Sequence, residues 1–157
     1  MKRLLAVLVL VLLAGCRPGA AGGATGASAS DAAVQQFLFA ANAEDLQAMS
    51  TVWGNQESPT RDRVSRQELE RRLLIIVCHV RHDESRIGPA QTGEAGRMLH
   101  RVELKKGTLT ASPMFTTVRN TRDGRWYVED LDLRALQPLC VASAPSRPAT
   151  RPPTSRR

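Results

Sequence analysis

Asp123-Gly124-Arg125-Trp126-Tyr127-Val128-Glu129-Asp130-Leu131 decides how this chain is read. Asp-Gly is a strong turn pair, because glycine enters the left-handed region that a hairpin requires without penalty. The aromatic and β-branched run after it reads as the returning strand. Working back from the turn, an extended run passes through Leu109, Phe115, Thr117 and Val118, with Pro113 inside it. Proline lacks the amide a ladder needs, so that run fits an edge or a bulge better than a central place. Before it, Met98, His100, Val102 and Leu104 alternate with Leu99, Arg101, Glu103 and Lys105, the period of a half-buried strand turned by Lys106-Gly107. Residues 84–89 are a candidate for one further strand.

Upstream the period becomes helical. Leu69, Leu73, Ile76 and Val80 form one stripe, which Leu74 and Val77 are expected to widen. Ser65 and Glu68 stand in capping-box spacing at the start of that helix. His79 and His82 fall at its end, where the helix dipole favours an imidazolium. Residues 54–64 read as loop, and a short segment runs from Glu44-Asp45 through Leu46 and Met49 to Trp53-Gly54. Val34, Phe37, Leu38 and Ala41 mark a first helix that Ser30 or Asp31 can cap. Helices first and an antiparallel meander afterwards predict an α+β domain over residues 31–142.

The first helices, the Leu46 to Trp53 segment and the hairpin from Asp123 to Val128 together resemble the nuclear-transport-factor-2-like fold, the cystatin-like roll. That resemblance implies N-terminal helices packed on a curved antiparallel sheet. Its members include isomerases, dehydratases, ligand carriers and dimerisation modules, so the fold does not choose a function. The catalytic members use an Asp or His base with Tyr or acidic partners inside the cavity. This chain has one tyrosine, Tyr127, and its late acids Glu129, Asp130 and Asp132 sit beside arginines. No two titratable groups can be assigned opposed roles, so a non-enzymatic domain is expected.

The chain's start carries a second resemblance. Lys2 and Arg3 precede an apolar run from Leu4 to Leu13, too short to span a bilayer and closed by small residues, which is the layout of a secretory signal. Leu13-Ala14-Gly15-Cys16 resembles the lipobox of bacterial lipoproteins. The resemblance implies that residues 1–15 are removed and that Cys16 carries the lipid. Arg17 follows the cysteine in place of the aspartate associated with inner-membrane retention, so an outer-membrane anchor is favoured. Residues 16–30 then read as the lipidated cysteine and a Gly- and Ala-rich flexible linker.

With Cys16 assigned to lipid, Cys78 and Cys140 remain, and an even remainder outside the cytoplasm is expected to pair. A reactive Cys78 beside His79 is the weaker reading, because neighbours on a helix do not face each other.

Charge is informative only when located. The net +7 comes from seven residues outside 31–142: Lys2, Arg3, Arg17, Arg147, Arg151, Arg156 and Arg157. Within that domain 15 basic and 15 acidic residues balance, and aromatics are few, which argues against nucleic acid as a partner. Residues 143–157 read as a disordered Arg- and Pro-rich tail with no acidic residue, able to meet anionic lipid or acidic glycan.

His79 and His82, with Asp83 or His100, are the nearest approach to a metal set, but no metal signature surrounds them and neither metal nor cofactor is expected. His100 lies on the apolar side of its strand. There it serves either as a core-edge histidine satisfied by hydrogen bonds or, with Trp53 and Tyr127, as part of a small-molecule pocket. The leading expectation is a protein anchored in the cell envelope whose domain binds another envelope protein or assembles with itself. The pocket around His100 is the alternative.

Overall fold

The computed structural model describes residues 25–141, and no helix among them is long and apolar enough to cross a membrane. The expected signal peptide at 1–15, Cys16 and the residues from 142 onward, where the tail is expected, lie outside the described residues.

Among the described residues three α-helices come first: α1 (Ser30–Asn42), α2 (Leu46–Thr51) and α3 (Arg66–Val80). Helix α1 buries Val34, Phe37, Leu38 and Ala41, the stripe read from its spacing. Its N-cap is Ala29, which has no capping side chain, so neither Ser30 nor Asp31 takes that role. Helix α2 is capped by Asp45, whose side chain accepts from the Ala48 amide at 2.9 Å. Ser65 caps α3 by accepting from the Glu68 amide at 3.3 Å. The Glu68 carboxylate reaches forward to Arg72 (2.7 Å) and Arg71 (3.6 Å). Leu69, Leu73, Ile76, Val77 and Val80 are buried on α3 as expected, but Leu74 is not: it is 58% exposed. The reason is angular. Leu74 sits about 100° round the helix from Leu73 and Ile75 a further 100°, which carries both past the edge of the buried stripe.

The sheet is antiparallel, with strands β1 (Glu84–Thr92), β2 (Met98–Lys106), β3 (Leu109–Ala111), β4 (Met114–Arg119) and β5 (Trp126–Leu131) in the order β1-β2-β4-β5, and β3 also on β2. The helices pack on one of its faces, the α+β architecture the sequence predicts. Pro113 separates β3 from β4 without changing their common register on β2, and its carbonyl still accepts from the Val102 amide at 3.0 Å. The expected edge place for this run therefore holds only as an interruption, because β4 itself lies between β2 and β5. On β5 the register shifts opposite Thr116 and Thr117, leaving Glu129 as the extra residue of a bulge.

Two boundaries differ from expectation. The expected linker ends earlier than residue 30: Ala27 is fully buried and exchanges main-chain hydrogen bonds of 2.8 and 2.9 Å with Trp126 on the edge of β5. Main-chain pairing of this kind needs no large side chain, which is why composition did not reveal it. A fourth helix, α4 (Leu133–Val141), follows β5 with Leu136 and Leu139 buried. Asp132 opens it, accepting from the amides of Arg134 (3.0 Å) and Ala135 (3.1 Å).

Cys78 of α3 and Cys140 of α4 are joined by a disulfide, with Cα atoms 4.9 Å apart. The pairing expected from the sequence is present, and it ties the last helix to the longest one.

Candidate functional site

The register of the sheet settles the proposed pocket. His100 pairs with Phe115, while Tyr127 pairs with Val118. Phe115 and Val118 are three residues apart on one strand, so their side chains, and those of their partners, point to opposite faces. His100 faces the helices and Tyr127 faces away from them. Trp53 is half-buried against the core, where its main chain bridges to Val128. The structure does not bring His100, Trp53 and Tyr127 together around one cavity.

His100 is fully buried. Its Nε2 lies 3.4 Å from the Thr117 hydroxyl, which also stands 3.3 Å from the Met98 carbonyl. A hydroxyl that donates to Met98 accepts from His100, so the arrangement fits the Nε2–H tautomer. Nδ1 has no partner. Burial pushes the imidazole below its ordinary pKa, and the nearby Asp31 carboxylate pulls weakly the other way. This is a neutral core histidine out of reach of a substrate.

Tyr127 is equally buried under a different cover. Its hydroxyl donates to Asp123 at 2.9 Å across the hairpin loop. Burial raises its pKa, with the Asp123 carboxylate acting in the same direction. The backbone at Gly26 and Gly54 lies against the ring, so close that a Cβ on Gly54 would stand 3.0 Å from Cδ1. Gly26 has a φ of 74°, a conformation that favours glycine. Arg125 completes the clasp by donating to the Gly26 carbonyl at 2.7 Å. Tyr127 thus holds the start of the domain and the 54–59 loop against the sheet.

Of the two histidines at the end of α3, His79 has a buried Nδ1 with no hydrogen-bond partner among the described residues, and His82 has a structural role. His82 lies past the helix end, with Nδ1 2.7 Å from the Val80 carbonyl and Nε2 3.2 Å from the Asn42 amide. Among the described residues no group of three His, Cys, Asp or Glu side chains could hold a metal ion.

The concave feature of note lies elsewhere. Between α1 and β1 runs an open groove of about 530 Å³, with Asp31 and Gln35 on the helix side and Ile87, Pro89 and Ala90 on the strand side. β1 pairs only with β2 within the sheet, so its other edge borders the groove, and a bulge between Ile87 and Ala90 bends it there. Phe39, one turn beyond Gln35 on α1, is 77% exposed. Sequence periodicity does not mark this place, because Glu84–Thr92 is mostly exposed and runs in polar and apolar blocks without the alternation of a half-buried strand. Gly88-Pro89 was the available signal.

No protein-family model matches the chain, and no curated protein matches it significantly. Among solved structures it is similar to an LEH-like epoxide hydrolase from M. tuberculosis, with 20% identity and a TM-score of 0.32 over 70% of this chain and 87% of that one. A likeness at that score carries no inference about what this chain does.

Proposed function

We propose that this chain is a lipid-anchored protein of the bacterial cell envelope whose α+β domain acts by binding another envelope protein, without catalysis. The groove along the open edge of β1 is the observation that carries the binding role. It sets the outer edge of β1 beside a mixed lining, with Ser30, Asp31, Gln35 and Ser85 polar and Ile87, Pro89 and Ala90 apolar, which suits an extended segment of a partner chain. Asp31 is the one charged side chain lining it, so the segment should carry a basic residue. The location is supported by the Cys78–Cys140 disulfide, which belongs to an oxidising compartment, together with the signal layout ending at Cys16. Arg17 after the cysteine, in place of an aspartate, favours the outer membrane. The tail's four arginines add a salt-sensitive contact with anionic lipid or glycan. Against catalysis stands the separation of His100 from Tyr127 and from solvent.

A photo-cross-linker at Gln35 of the intact protein in its own membrane tests the binding role. A discrete adduct is expected there, lost with Asp31→Lys and absent when the cross-linker is at Arg101 on the opposite face of the sheet. Equal labelling from both positions would contradict the proposal.

A further inference from the structure

Leu74 and Ile75 are 58% and 54% exposed, although both stand in the longest helix of the domain. They precede Cys78 by four and three residues, so they share its side of α3. Cys78 is bonded to Cys140, and the next residue, Val141, is 64% exposed. Leu74 and Ile75 therefore flank the disulfide on α3, and exposed Val141 follows it directly on α4. Arg71 continues the stripe one turn back on α3, and Arg134 lies on the Val141 side of α4 two turns back. Both arginines are exposed, and the neighbouring acid Glu68 is already paired with Arg71 and Arg72.

We infer that this face is a lipid-docking surface that lays the domain on an anionic bilayer. The inference rests on the anchoring reading above. What distinguishes the occupant is the chain that leaves from Val141. Sixteen residues follow, with four arginines and no acid, and the first, Arg147, is within about 20 Å of the patch even fully extended. A second copy seated on this face would bring its own four arginines against the first set, which is repulsive. A bilayer with anionic headgroups satisfies both components, taking the apolar side chains into the interface and the arginines onto phosphates. With the face on the membrane, the groove beside β1 remains available to a partner.

The test uses the chain from position 16 onward with Cys16→Ser, which keeps every described residue and removes the acyl anchor. Sedimentation with vesicles of phosphatidylcholine containing about one third phosphatidylglycerol should show binding, and pure phosphatidylcholine should show little. Leu74→Ser with Ile75→Ser should weaken binding to the anionic vesicles by about tenfold or more. Phe39→Ser, at a still more exposed position on α1, should leave it unchanged. Both changes are on the surface, and circular dichroism of each variant verifies its fold. Equal binding of the double variant and the parent overturns the inference. So does a parent dimer that the double variant converts to monomer with vesicle binding intact, since the face would then be a self-contact. Because this protein carries no lipid, failure here is separate from failure of the anchor, which the processing of Cys16 reports.

Discussion

His100 and Tyr127, both shut off from solvent, stand on opposite faces of one sheet and serve different parts of the fold. His100 fills the main core beneath α1, and Tyr127 holds the N-terminal segment and the 54–59 loop on the other side.

The first prediction follows from the depressed pKa of His100. The unfolded chain takes up a proton near the ordinary value of 6.5, whereas the folded chain takes it up only at lower pH. Between those two values the unfolded state binds more protons, so stability rises with pH there and falls on acidification. His100→Leu removes this dependence. Urea unfolding at pH 7.5 and at several pH values below 6.5 should show the variant gaining on the parent as pH falls. A difference constant across the series would contradict the assignment of His100 as a buried neutral imidazole.

The second concerns the cover over Tyr127. A Cβ at Gly54 would meet the Pro59 Cα and the Ser58 carbonyl oxygen, each at 2.9 Å. Both are backbone atoms that cannot rotate away, so Gly54→Ala should destabilise by about 1–3 kcal/mol. Denaturant midpoints measure it. The near-ultraviolet signal of Tyr127 and Trp126 should change with the mutation even where the far-ultraviolet signal does not.

Much of this arrangement was legible before any coordinates. The stripe on α1, the alternation from Met98 to Leu104 and the Asp123-Gly124 turn each encode burial locally. The cysteine pair followed from compartment and number. Other features depend on pairing partners, which a single sequence does not display. Glu129 is a bulge only because of how β5 meets β4, and Ala27 is an edge residue only because Trp126 lies beside it. Helix α4 is masked in the sequence by Pro138 inside it and by the Arg- and Pro-rich stretch that follows. Its signal was there: Asp132 as a cap, then Leu133, Leu136 and Leu139 at intervals of three. Leu74 departs from the expected stripe because composition alone does not distinguish the last buried apolar residue from the exposed one beside it.

The third prediction addresses the disulfide. It links residues 62 apart, and closing a loop of that length removes denatured-state entropy worth about 4 kcal/mol in the chain-entropy treatment. Cys140→Ser, or reduction of the parent, should lower the urea midpoint while leaving the sheet intact. A shift within the error of the measurement would mean that α4 is held by Leu136 and Leu139 alone.

The most direct measurement is the intact mass of the mature protein purified from its own envelope under non-reducing conditions, with peptide mapping of its N-terminus. The account predicts a chain that begins at Cys16, carries acyl groups on that residue, and contains a linked pair of peptides bearing Cys78 and Cys140. An unmodified N-terminus at any other residue, or free thiols at both positions, would contradict it.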